Sequence, residues 1–455
     1  MLLPPDLRDW VPEDDLAHFV IAAVDRLPLE TFRVNWRGSG SAQHPPHMML
    51  SLLIYCYSMG IFSSRKIEQA THRDVAVRYL SGDTHPDHDT ICKFRRENLD
   101  AFAAAFVDVL ELAREMKLLE LGRVALDGSH FKADASIDQN VTHARAVELR
   151  AELKQEVARL LEEAEQADHD GEDAARLPEE VARLEKLHTK MDRAVQELES
   201  RAAARQEKAM AEHDRKKAQR KAKEKKAGRK PRGRRLKKPD IKAGQGDRAG
   251  EQCNLTEPDS RIMRKNKRSG WTQSHNVQAA VDVGTHLLVG SHIVKSASDG
   301  GQLEAGVEAV REACGELPSG VLADAGYVEG DAFERLEAAG VEVHCSVHRE
   351  DAHAERRFDF RPPDRPKSKL REPKDPRLKA MKEKLRSEEG RAIYALRNQT
   401  AETVFGIIKE AIGFRGFSMR GTAKVEGEWK LVCLVHNLRR LFSLSESLKA
   451  VHAEA

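Results

Sequence analysis

Residues Leu121–Ser136 read LGRVALDGSHFKADAS, and the parsing of that stretch decides the fold. Val124 to Leu126 is a short apolar run closed by a turn signal, which predicts a buried strand. The run ends in Asp127-Gly128, so a carboxylate emerges at a sheet edge beside a turn. A strand-end aspartate often does no more than form its turn, and Asp134 is a rival that would sit past the strand in a loop. The flanking sequence weighs on that choice.

Downstream, the segments SHNVQAAVDV and THLLVGSHIV both alternate and are rich in Val, Ile and Leu, which predicts two strands of a hairpin joined around Gly284. Gln302 to Ala313 has helical spacing. GVLADAGY reads as another buried strand, ending in Asp324, followed by a helix from Glu329 to Ala339. VEVHCSV is a fifth strand. His344, Cys345, His348 and His353 raise a metal site, but neighbours in a strand such as His344 and Cys345 face opposite ways. Arg349 to Lys384 is Pro-rich and basic, predicting a loop over the active face.

The next stretch, Arg391 to Gly421, reads RAIYALRNQTAETVFGIIKEAIGFRGFSMRG. Up to Ala411 it lacks proline, and Ile393, Leu396, Val404, Ile407 and Ile408 recur at helical spacing, predicting a helix of about five turns. Tyr394, Arg397, Glu402 and Lys409 fall off that stripe on one broad face. A lone acid between bases suits a metal gripping a phosphate, with the cations on neighbouring phosphates. A solvated helix face with ordinary ion pairs is the plainer alternative. EWKLVCLVHNLRRLF then predicts a final amphipathic helix.

Upstream, Asp14 to about Ala105 is helical in pattern, with amphipathic stretches over His47 to Met59, Ser63 to Thr71 and Asp74 to Leu80. Short helices broken at Gly60 and Gly82 allow a helix-turn-helix, whose last helix, Thr90 to Asn98, would offer Lys93, Arg95 and Arg96 to DNA. A bundle used for packing or dimerisation fits equally well. A helix from Phe102 to Met116 leads into the first strand.

Between the first two strands lies a long insertion. Leu149 to Ala164 and Val181 to Leu198 show near-heptad spacing on either side of DHDGED, which predicts an antiparallel helical hairpin. Arg215 to Lys238 is strongly basic and ends in Gly and Pro, a run expected to stay disordered until it meets a polyanion such as nucleic acid. The expected domains are residues 1–115, an all-α N-terminal domain; 116–140 with 251–445, an α/β catalytic domain; and 141–250, the hairpin and basic linker.

With the insertion removed, the order strand, strand, strand, helix, strand, helix, strand, helix is the ribonuclease-H-like topology. Its first and fourth strands are neighbours, so Asp127 and Asp324 would end on adjacent strands, and the helix after the fifth strand can bring Glu402 to them. Three carboxylates at one sheet edge repel unless divalent cations neutralise them, which points to a two-metal phosphoryl-transfer site. Oxygen ligands favour Mg²⁺ or Mn²⁺ over zinc.

The 455 residues allow two or three domains, and a net charge of +2 with a third of the residues charged points to local basic surfaces rather than a basic protein. Six scattered cysteines without a CxxC pair argue against a disulfide framework or zinc ribbon and fit a reducing cytoplasm. The N-terminus lacks a basic region followed by an apolar run, and no apolar stretch approaches membrane-spanning length.

VALDGSHFKADAS, NLTEPDSRIM, HNVQAAVD, LADAGY and YALRNQTAETVFGIIKEAIGFRGFSMRG, in that order, resemble the DDE transposases of bacterial insertion sequences that bear a Tyr-Arg-Glu-Lys signature, and YCYSMGIFSSRKIEQATHRDVAVRYLSGD resembles their N-terminal helical domain. The resemblance implies that Asp127, Asp324 and Glu402 bind the metals and that Tyr394, Arg397 and Lys409 handle the DNA backbone. It further implies cleavage and strand transfer at the element's terminal repeats, with a dimer pairing two ends. Four residues separate Arg397 from Glu402, one more than in the commonest signature. A catalytically inactive DNA-binding derivative is the alternative. A tyrosine recombinase would use His436 and Arg439 but needs a later tyrosine, and none follows Tyr394.

Overall fold

The computed structural model describes residues 6–33, 43–170, 177–228, 236–264, 268–347 and 372–454. The chain divides into two compact units, Met1–Phe131 with His275–Ala455, and Lys132–Ser274. Among the described residues no helix is long and apolar enough to cross a membrane. All six cysteines are unpaired.

The first unit begins with α1 (Leu16–Val24), α2 (Pro46–Ser58), α3 (Ser64–Arg73), α4 (Val75–Leu80), α5 (His88–Glu97) and α6 (Leu99–Glu115). Aspartates start three of them: the side chains of Asp15, Asp74 and Asp87 accept from the backbone N–H of Ala17, Val77 and Thr90. α2 is buried on all sides from Met48 to Ser58, as an apolar helix without a polar face must be. Strand β1 (Arg123–Lys132) follows, with Val124, Ala125 and Leu126 in the core.

The second unit contains β2 (Asn140–Thr142), α7 (His143–Asp170), α8 (Leu177–Ala227), β3 (Gln252–Asn254) and β4 (Arg261–Met263). β2 and β3 pair antiparallel. α7 and α8 form the expected hairpin around Ala146, Leu153, Met191 and Val195. Arg201 joins α8 to the strands, donating to the carbonyls of Gln252 and Pro258 at 3.0 and 2.8 Å. The first half of the basic run is helical rather than disordered: α8 continues through it to Ala227 and stops at Gly228, which has φ 63°. Arg215 to Ala227 is made of Lys, Arg, Ala, Gln and Glu, all strong helix formers, and the first breaker ends the helix. Residues 229–235 of that run lie outside the described residues.

β5 (Thr272–Asp282) leads back into the first unit, followed by β6 (Leu288–Val294), α9 (Leu303–Cys314), β7 (Gly320–Ala323), α10 (Gly330–Ala338), β8 (Glu342–Cys345), α11 (Pro376–Lys384), α12 (Glu388–Gly406), a π-helical turn (Ile407–Ala411) and α13 (Thr422–Glu454). The first unit's strands lie in the order β6-β5-β1-β7-β8. β5 and β6 are antiparallel, while β1, β7 and β8 are parallel. The fold is therefore mixed α/β, with more helix than sheet.

α13 packs on α6, α2 and α1, and one hydrophobic core runs from Val11 to Leu441. Residues 1–115, expected as a domain of their own, thus share a core with the sheet. Part of the expected basic loop is also ordered, as α11, capped by Asp375 on the N–H of Arg377. Residues 348–371, including His348 and His353, lie outside the described residues.

Candidate active site

β1 does not end at Asp127 as expected. It continues to Lys132 because β5 accompanies it along its whole length: the N–H of Val283 donates to the carbonyl of Arg123, and that of Ala133 to Gln273. β7 is short and pairs with β1 only from Arg123 to Ala125. Asp127 therefore lies where β1 loses its neighbour on that side. Ala125 is opposite Leu322, the last pair of the two strands, and Asp127 and Asp324 each lie two residues further along.

Asp324 is fixed by its turn. Its Oδ1 accepts from the N–H of Gly326 at 2.7 Å, and its carbonyl receives Cys345 Sγ at 3.2 Å. The Asp127 carboxyl also accepts a backbone N–H, that of Gly128. Burial pushes it up to about 7; Arg397 opposes this, while the charges of Asp324 and Glu402 add to it. The three acids thus share one electrostatic neighbourhood. Asp134, the rival, belongs to the other unit.

α12 supplies Glu402, whose side chain is 56% exposed, and Arg397, which is 12% exposed. Arg397 Nη2 donates to Glu402 Oε1 at 3.2 Å and to Asn398 Oδ1 at 2.9 Å, and its guanidinium lies 5.9 Å from the Tyr394 ring centre. Burial disfavours the cation, but Tyr394, Asp127, Glu402 and Asp324 outweigh that and hold its pKa above the ordinary value. Among the described residues Arg397 Nε, like Arg95 Nε, is buried without a hydrogen-bond partner.

The expected five-turn helix begins earlier, at Ser387, whose hydroxyl accepts from Gly390, and it changes character at its end. The π-helical turn inserts extra backbone and redirects Lys409. Lys409 Nζ donates to Ser129 Oγ at 2.6 Å and to the carbonyl of His130 at 2.8 Å, over the Phe131 ring. It ties the end of the helical segment to β1, just beyond Asp127.

Among the described residues no three His, Cys, Asp or Glu side chains converge closely enough to hold a metal ion. Glu402 is instead turned onto Arg397. His344 and Cys345 are both buried in β8.

The expected reading helix places its cations differently. Arg95 is 6% exposed and donates to Tyr57 Oη at 2.7 Å and to the carbonyl of Phe62 at 2.9 Å, so it is a core residue and presents nothing to a groove. Lys93 is half-buried and Arg96 exposed. The cause is amphipathicity: Arg95 follows Ile91 and Phe94 on the buried face of α5.

Sequence reading overlooked Asn276, Gln278, Asp299 and Tyr327, which form a linked polar group beside the two aspartates. Asn276 and Gln278 alternate on one face of a fully buried strand. Amides at that spacing require a partner, and this was a signal in the sequence.

Asp127 thus lies on β1, Asp324 directly follows β7, and Glu402 lies on the later helix α12. Residues 5–97 match the Transposase domain (DUF772), and residues 363–442 match the Transposase DDE domain, a stretch that includes Tyr394, Arg397, Glu402 and Lys409. Together these matches support a DDE-type transposase and indicate a function in transposition. No curated protein and no solved structure matches the chain.

Proposed function

We propose that the protein is a ribonuclease-H-like DDE transposase that cleaves and rejoins DNA strands at the ends of an insertion sequence. Asp127, Asp324 and Glu402 are the acids that hold two divalent ions, Mg²⁺ or Mn²⁺. The partners are terminal-repeat and target DNA and a second copy of the chain, in the cytoplasm. The observation that supports this reading is the parallel pairing of β1 with β7, with Asp127 and Asp324 each two residues beyond its last pair.

The donor chemistry fits such ions. All three acids are hard oxygen ligands, and the Asp127 carboxyl stays high because Arg397 alone does not offset its burial and its two acidic neighbours. When bound, the ions supply an activated oxygen nucleophile and neutralise the departing oxygen. Arg397 occupies the same neighbourhood as a positive charge. Its exchange of Glu402 for a DNA phosphate frees the carboxylate and gives its unpaired Nε an acceptor. Tyr394 flanks that phosphate. Lys409, bonded to β1, holds the glutamate's helix against the Asp127 strand and reaches the DNA backbone only by leaving Ser129.

Cleavage of DNA carrying the element's own flanking sequence, with and without Mg²⁺, tests the reading. Asp127→Asn, Asp324→Asn and Glu402→Gln should each abolish cleavage and leave DNA binding largely intact. Near-normal cleavage by Asp324→Asn contradicts the assignment, and a loss confined to Asp134 variants redirects it.

A further inference from the structure

Asp299 lies in the loop after β6, and no role in the site has yet fallen to it. Its Oδ1 accepts from Asn276 Nδ2 at 3.0 Å and from Gln278 Nε2 at 2.6 Å, both on β5. Gln278 in turn accepts from Tyr327 Oη, and Asn276 also donates to the carbonyl of Ser296, holding the same loop. The His130 ring, on β1, bonds the backbone of Ala297. The loop is therefore tethered to both β1 and β5.

The carboxylate fills space that Gly128 leaves open and lies in contact distance of the space beside Gly326. A Cβ on Gly128 would run into Asp299 Oδ1 and Gln278 Nε2, while a Cβ on Gly326 would meet Asp324 Oδ1 at 2.8 Å and touch Asp299 Oδ2 at 3.4 Å. These are the same two glycines whose N–H groups orient the acids: Gly128 donates to the Asp127 carboxyl, and Gly326 to Asp324 Oδ1 at 2.7 Å. One side chain is thus packed against both backbones that aim the aspartates.

We propose that Asp299 is a positioning residue for the cation site, setting the carboxylates of Asp127 and Asp324 through the backbones of Gly128 and Gly326. It acts on the metal ligands as an outer partner, a role whose loss ordinarily weakens metal affinity without removing a ligand. The inference rests on the assignment of Asp127 and Asp324 as ligands. It explains why a glycine follows Asp127: a side chain at Gly128 would displace the carboxylate that keeps both loops in place.

The test is Mn²⁺ binding to the full chain, without DNA, followed by electron paramagnetic resonance at pH 8, with circular dichroism confirming the fold of each variant. Asp299→Ala should weaken Mn²⁺ binding by about tenfold or more. Asp299→Asn, which keeps an acceptor oxygen and the volume, should stay close to the parent protein. Gln278→Met, which removes one donor to Asp299 at similar size, should weaken binding in the same direction, and it carries the test if Asp299→Ala does not fold. Parental affinity in Asp299→Ala, or in Gln278→Met where that variant carries the test, overturns the inference. Equal loss in Asp299→Asn and Asp299→Ala also overturns it, since the packed acceptor would then not be what matters. Asp127→Asn separates the two levels: parental Mn²⁺ binding in that variant sinks the ligand assignment itself, whereas loss there with parental binding in Asp299→Ala sinks only the positioning role.

Discussion

Arg95 on α5 and Arg397 on α12 look alike in sequence, each a cation on a helix that resembles part of a DNA-handling protein, yet the fold uses them in opposite ways. Arg95 is enclosed by partners that do not leave, the Tyr57 hydroxyl and the Phe62 carbonyl, with the buried Glu428 carboxylate close enough to add to its charge stabilisation. Arg397 is bonded instead to the half-exposed carboxylate of Glu402, which a phosphate can replace, and to the Asn398 side chain. The burial and chemistry of the acceptors, not the helix position of the cation, separate these two arginines.

The largest expected effect tests the structural side. Arg95→Ala removes one partner from a buried polar group and leaves Tyr57 and Glu428 short of a charge, so unfolding should become easier by about 3–5 kcal/mol. Urea denaturation measures it, and a change under about 1 kcal/mol would show that Arg95 can turn outward after all.

Arg397→Ala should behave the other way. Its stability cost is small because Glu402 is exposed, but removal of a cation that bears on all three acids should lower cleavage by about 100-fold, or about 3 kcal/mol. Cleavage kinetics on the same preparation as the denaturation curves make the contrast direct. Equal losses of stability and rate would erase the distinction.

A smaller effect follows from Asp127. Its carboxyl is raised to about 7 in the folded chain, above its value in an unfolded one, so the folded state holds this proton more tightly and loses stability as pH rises from about 4 to about 7. Asp127→Asn should therefore unfold at a higher temperature than the parent protein in metal-free buffer, by the widest margin at pH 8 and a closing margin toward pH 5. Thermal unfolding at those two pH values checks it, and a margin that grows on acidification contradicts the sign.

Much of the sheet was legible because its strands are apolar and end in turn signals: GVLADAGY gave β7 and its terminal Asp324, and the alternation of SHNVQAAVDV gave β5. The length of β1 was not legible, since Ser129 and His130 look like loop residues and are strand only because β5 continues beside them. The face of Arg95 was readable from Ile91 and Phe94, but the partners that make burial of a guanidinium tolerable come from α2 and from residue 62, distant in sequence. Lys409 was assigned by helical spacing, which a π-helical turn breaks. The Asp299 group escaped notice because its parts lie on β1, β5 and two loops and meet only in the folded chain.

The central claim is that Asp127, Asp324 and Glu402 together bind divalent cations. Fe²⁺ substituted for Mg²⁺, with ascorbate and peroxide, cuts a polypeptide next to the bound ion and reports the site without reference to DNA. The account predicts cuts clustered near residues 127, 324 and 402, suppressed by excess Mg²⁺ and lost in Asp127→Asn. Cuts centred on His344 and Cys345, or an unchanged pattern in Asp127→Asn, would contradict it.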